Sequence, residues 1–222
     1  GRFEVWQNQP NAFPDQFDQE HSRDIEPMRG GHGDNYYYQM VEGIRRFKGM
    51  PPQESASGVK KIKIDGLFSD WQDVKPEYRA TRGNTIHRNS KGWGKYVYTN
   101  TTGRNDIVSA KVARDSRNLY FYVACAESIT QPCSKSWLNL FIDIDRKRQT
   151  GWEGYDYMIS GHSANGKATL LRSDNGWNWS KVADVEYRVD GNSLELVIPH
   201  KSLGLIRGDA VEFEFKWVDN MQ

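Results

Sequence analysis

Between Leu138 and Asp145 the chain alternates strictly. Leu138, Leu140, Ile142 and Ile144 fall on one side of a two-residue period, with Asn139, Phe141, Asp143 and Asp145 on the other. This pattern predicts a half-buried β-strand. A loop rich in charge and glycine, Arg146 to Gly154, comes next. Tyr155, Tyr157 and Ile159 then alternate with Asp156, Met158 and Ser160, which predicts a returning strand. The stretch reads as a β-hairpin with a long tip, apolar toward a core and acidic where the strands meet the loop.

The same period recurs along most of the chain. KIKIDG, beginning at Lys61, predicts a strand and a turn. Asp106 to Ala113 and Leu119 to Ala126 alternate around RDSRN, and Lys167 to Arg172 forms a shorter run. Val185 to Val189 and Leu194 to Ile198 flank Asp190-Gly191-Asn192, a strong hairpin signal. Pro199 stops that strand, and Val211 to Val218 alternates again. About eight or nine short strands at hairpin spacing predict a mainly β fold, a two-sheet antiparallel β-sandwich of jelly-roll type.

The first 50 residues break this rhythm. FEVWQ reads as a short strand running into a long irregular segment punctuated by Pro and Gly. Asp34 is placed to cap a helix in which Tyr37, Met40, Val41, Ile44 and Phe47 fall at helical spacing, with Gly49 as its stop. One such βα unit cannot bury its own faces and needs a parent domain or a sheet edge to lean on. The expected organisation is a βα segment over 1–50, a Pro- and Ser-rich linker over 51–58, and the β-sandwich over 59–222. The Gly1 start and a stop soon after a strand suggest a piece of a longer polypeptide.

Composition narrows the function classes. Aromatic residues make up 13% of the 222, with 8 Trp and 11 Tyr, so the core is expected to lean on rings. A net charge of +1 provides no basic field for nucleic acid. No apolar run approaches the roughly 20 residues of a membrane span. The two cysteines, Cys125 and Cys133, fit a local disulfide or a pair of buried thiols equally well.

Two resemblances add to this reading. IKIDGLFSDW, ARDSRNLYFYVAC, FIDIDRKRQTGWEGYDYMI and LELVIPHKSLGL, in that order, resemble a family 9 carbohydrate-binding module or its DOMON-like relatives over about residues 59–222. The resemblance implies a β-sandwich attached to an extracellular, periplasmic or cell-surface polysaccharide-degrading enzyme. The first 50 residues resemble the end of a glycoside hydrolase (β/α)8 barrel of the family 71 and 99 type, in which an acidic NEWxEGxxIEP loop carries catalytic carboxylates. Matching Ile25-Glu26-Pro27 puts Asp18 at the first carboxylate position and His21 at the second, with Glu20 beside it. The sequence departs from the motif where chemistry needs it. Asp18, Glu20, Asp24 and Glu26 therefore read as an acidic loop, and no catalytic residue is assigned to this chain.

Three sets of side chains suggest chemistry. Trp177 and Trp179 in SDNGWNW, with Asn175, are candidates for a sugar platform, because flat indole faces stack on a pyranose. Trp152 in TGWEG and Trp93 in KGWGK are similarly loop-borne, whereas Trp71, Trp137 and Trp217 are expected in the core. Asp143, Asp145 and Asp156, with Glu153, offer hard oxygen ligands suited to Ca²⁺. The alternative is a hairpin end neutralised by Arg146, Lys147 and Arg148. A haem site would need a pair such as Met158 with a histidine, and the scattered histidines show no such spacing. The functional expectation is carbohydrate recognition beside a catalytic domain of the same polypeptide. The alternative is a support module whose aromatics are consumed by packing.

Overall fold

The computed structural model describes residues 54–80, 82–83, 88–91, 95, 97–206 and 211–219, together with Gly43, Ile44, Phe47 and Gly49. The chain divides into two compact units, Gly1–Gln53 and Glu54–Gln222, at a point inside the 51–58 stretch. In the first unit Gly43, Ile44 and Phe47 are helical. Gly49 has a left-handed φ of 61°, a conformation that glycine adopts at helix ends without steric cost. The FEVWQ strand, Asp34 and the acidic positions Asp18, Glu20, Asp24 and Glu26 lie outside the described residues.

The second unit is mainly β. Its strands are β1 (Tyr78–Arg79), β2 (Arg88–Lys91), β3 (Val97–Asn100), β4 (Ile107–Arg114), β5 (Asn118–Cys125) and β6 (Asn139–Asp143). They continue with β7 (Tyr157–Ser163), β8 (Lys167–Asn175), β9 (Asn178–Asp190), β10 (Ser193–Pro199) and β11 (Glu214–Val218). β2 and β3 form a small ribbon. The other nine make one antiparallel sheet in the order β1-β4-β5-β10-β9-β8-β7-β6-β11.

That sheet is strongly curled. Tyr78 on the first strand and Phe215 on the last bring their ring centroids to 5.3 Å, and Phe121 on β5 reaches Phe215 at 5.8 Å. The concave side holds the main core, built from alternate residues such as Leu119, Phe121 and Val123, Leu140 and Ile142, and Leu194, Leu196 and Ile198. Each such side chain contributes about 1.5–3 kcal/mol by leaving water. Antiparallel all-β structure is present as the alternation predicts, but the hydrogen bonding runs through one sheet. Alternation reports only that one face is buried, and a sheet rolled onto itself satisfies it as well as a second sheet does.

KIKIDG is not a strand. Lys60 N–H donates to Arg114 O at 2.8 Å, Lys63 N–H turns to Asp70 Oδ2 at 3.1 Å, and the segment crosses the convex face as an arm. Its Ile62, with Trp71 and Val74, packs on Ala113 and Tyr120 in a second core. Under this arm Glu195 is fully buried and accepts hydrogen bonds from Gly66 N–H and Trp71 Nε1, both at 2.8 Å. Trp71 and Trp137 are core residues and Trp217 is partly buried against the core, as expected. The cysteines are unbonded. Cys125 is buried, and burial pushes its thiol up to about 12, whereas Cys133 is exposed. Among the described residues no helix is long and apolar enough to cross a membrane.

Candidate functional site

The acidic hairpin tip is a built structure. Ile144 to Asp156 links β6 to β7 through four left-handed residues, Arg146, Gly151, Glu153 and Gly154. At Gly151 the need for glycine is steric, since a Cβ there would sit 2.1 Å from Tyr155 O. Trp152 and Tyr155 exchange backbone hydrogen bonds, Trp152 N–H to Tyr155 O at 2.9 Å and Tyr155 N–H to Trp152 O at 2.8 Å. This closed turn sets both rings against Phe141, at 5.4 and 5.5 Å.

The three aspartates organise the base of the loop. Asp143 Oδ1 accepts from Arg146 N–H at 2.6 Å, and Asp156 Oδ2 accepts from Ile144 N–H at 2.9 Å. Asp145 Oδ1 accepts from Lys147 N–H at 2.9 Å and from the Thr150 hydroxyl at 3.0 Å. Each residue offers a carboxylate oxygen to a group whose members all lie within 4.8 Å of one another. Oxygens bound about 2.4 Å from one cation stand no more than about 4.8 Å apart, so the triad can hold a metal ion. Burial raises the Asp143 carboxyl above its ordinary range; the Arg146 N–H offsets part of this, while Asp156, Asp145 and Glu214 push it further up. A cation would relieve that repulsion. Arg146 pairs with Glu212 at 2.8 Å rather than with the triad, and Lys147 reaches Asp145 only at 3.9 Å.

Next to this base is an aromatic cluster on the convex face. Trp177, in the β8–β9 turn, meets Trp152 at 4.6 Å and Trp179 at 5.6 Å, with ring planes crossing at 74° and 87°. Phe141 is the hub, touching Trp152, Tyr155, Trp177 and Trp179. Trp177 remains 49% exposed while Phe141 is buried. Asn175 lies exposed at the same turn, where its carbonyl accepts from Asn178 Nδ2 at 3.1 Å. The Trp179 indole N–H is buried without a partner among the described residues.

The structure thus gathers Trp152, Trp177, Trp179 and Asn175 beside Asp143, Asp145 and Asp156, and one loop carries members of both sets. Trp93, between β2 and β3, lies outside the described residues. The rings are not coplanar: edge-to-face packing leaves one half-exposed indole instead of a flat platform. Sequence reasoning missed the role of Phe141. Its apolar side chain on the otherwise polar side of the β6 alternation was the available signal. The chain matches no protein-family model, no curated protein and no solved structure.

Proposed function

We propose that the unit Glu54–Gln222 is a carbohydrate-recognition module of a secreted, periplasmic or cell-surface glycoside hydrolase, acting beside a catalytic domain of the same polypeptide. The observation that carries this reading is the half-exposed Trp177, held by Trp152 and Trp179 next to Asn175. An indole fixed by edge-to-face neighbours loses little entropy on binding, and its free surface stacks on the apolar face of a pyranose. With a single ring available, the module takes one sugar unit of a soluble chain in preference to a flat crystalline surface. In this reading Ca²⁺ occupies Asp143, Asp145 and Asp156, and its role is to hold the loop that carries Trp152. The facing halves of the curled sheet then correspond to the two layers of a jelly-roll-like sandwich.

One observation favours the support-module alternative. The perpendicular rings pack on Phe141 like a small core, as they would if the aromatics served packing alone. Calorimetric titration of the intact chain with a panel of neutral oligosaccharides, with and without Ca²⁺, separates the two readings. Saturable heat that disappears in Trp177→Ala supports recognition. Flat titrations on folded protein leave only the support role.

A further inference from the structure

The opposite end of the same strands contains a concavity of about 320 Å³. That volume is at the lower end of the roughly 300–1,000 Å³ typical of small-molecule sites, room for a ligand of monosaccharide size. Its walls come from the β5–β6 connection (Thr130, Gln131), the β7–β8 turn (Asn165, Gly166) and the end of β9 (Arg188). Trp137 and Tyr187, both buried, also line it.

Arg188 is placed there by construction. Its Nη1 donates to Tyr187 O at 2.8 Å and its Nη2 to Glu186 Oε1 at 2.9 Å. Gly166 makes room for the guanidinium, because a Cβ at that position would stand 2.3 Å from Arg188 Nη1. Among the described residues this leaves Nε–H and one hydrogen on each terminal nitrogen uncommitted, a fork that matches a carboxylate.

The neutral groups around it are also donors. Asn165 Oδ1 accepts from Lys167 N–H at 3.2 Å and shares the Ser163 hydroxyl proton with Lys167 O, at 2.5 and 2.8 Å, which leaves the Asn165 amide NH₂ to give. Thr130 Oγ1 already accepts from Asn105 Nδ2 at 3.1 Å and shares the Trp137 Nε1 hydrogen with Thr130 O, at 3.1 and 2.9 Å, so its own proton is available. The concavity is therefore rich in donors: Arg188, ion-paired through Nη2 with Glu186 at 2.9 Å, stands among neutral amide and hydroxyl groups.

We propose that this cleft binds a hexuronic acid unit, with the sugar carboxylate on Arg188 and ring or hydroxyl oxygens accepting from Asn165 and Thr130. The site is separate from Trp177, and the proposal stands or falls independently of the reading of that end of the sheet.

The test is calorimetry of the intact chain with glucuronate and galacturonate, using glucose, galactose and acetate as comparisons. Saturable binding of a uronate, at least tenfold tighter than that of its neutral counterpart or of acetate, is expected. Arg188→Gln should weaken it tenfold or more, and Trp177→Ala should leave it unchanged. If Arg188→Gln fails to fold, Asn165→Ala, at an exposed turn, takes its place with a smaller loss expected. Absence of uronate binding by folded protein, equal binding of neutral sugars or acetate, or indifference to both cleft substitutions would overturn the proposal. Loss of uronate binding in Trp177→Ala would place the ligand at the other end.

Discussion

The two ends of β6–β9 use aromatic residues in opposite ways. At the cleft end, Trp137 and Tyr187 are buried and their polar atoms are satisfied. Trp137 Nε1 donates to Thr130 O at 2.9 Å and the Tyr187 hydroxyl to Ser163 O at 2.8 Å. His162 lies edge-on to both rings at 4.8 Å, with neither nitrogen partnered among the described residues. At the acidic end, the rings sit on the convex face, Trp177 is half exposed, and charged oxygens replace the apolar surroundings. Aromatic content alone therefore does not locate a binding surface. What separates the ends is whether the rings are enclosed by strands or held at a turn.

The comparison can be tested first through Phe141. This buried ring supports four others, and Phe141→Ala should cost about 3–5 kcal/mol, as for other buried phenylalanines. Urea unfolding measures it. A loss below about 1 kcal/mol would mean that the convex cluster is not a packed unit.

The cleft end should reveal itself through pH. Burial lowers His162 from its ordinary 6.5 to about 4. Between those values the unfolded chain binds the proton and the folded chain does not, so stability falls as pH falls through that window. The full effect is roughly 3 kcal/mol. Comparing urea unfolding at pH 7 and pH 4 for the wild type and His162→Phe checks this contribution. The variant should show a loss smaller by about that amount, and an equal loss in both would contradict the lowered titration of His162.

The acidic end should respond to a cation instead. Ca²⁺ at a hundredfold excess over its dissociation constant should stabilise the fold by about 2.7 kcal/mol. The response should include Trp fluorescence, because Trp152 rides on the same loop, and chelator should reverse it. Asp143→Asn with Asp156→Asn should abolish both signals. A thermal shift that survives the double substitution would place the ion elsewhere.

The smallest effect on stability is expected at Trp177, the residue proposed to carry recognition. Trp177→Ala should change unfolding free energy by less than about 1 kcal/mol, since half of its side chain is already in water. Neutral oligosaccharide binding should nonetheless disappear. A large loss of stability with binding retained would reverse the roles assigned to Phe141 and Trp177.

Much of the sheet could be read from the period-2 pattern. β4, β5, β7 and β10 lie close to the alternating runs because each has one face in the main core. β9 extends beyond the predicted Val185–Val189 run: NWSKVAD is too polar to signal a strand, yet it pairs with β8 across a long hairpin. The alternation predicts a half-buried β6, whereas Asn139, Phe141 and Asp143 are buried too, because the aromatic cluster and the loop base cover its second face. The Lys60–Asp65 segment alternates like a strand but lies across the sheet as an arm. Alternation records which side of a segment meets apolar surface, and not whether its backbone joins a ladder. The acidic triad was legible because β6 and its returning partner are adjacent in sequence. The cleft was not, since its walls come from two connections and a strand end far apart in the chain.

The most direct test of the recognition claim is indole N–H NMR of the intact, Ca²⁺-loaded chain. Its 8 Trp signals would be followed during titration with a neutral oligosaccharide. The account predicts saturable shifts of Trp177, Trp152 and Trp179, assigned by single Trp→Phe substitutions, while Trp71 and Trp137 stay fixed. Saturable shifts at Trp71 or Trp137 with Trp177 unmoved, or no shift for any oligosaccharide tried, would contradict it.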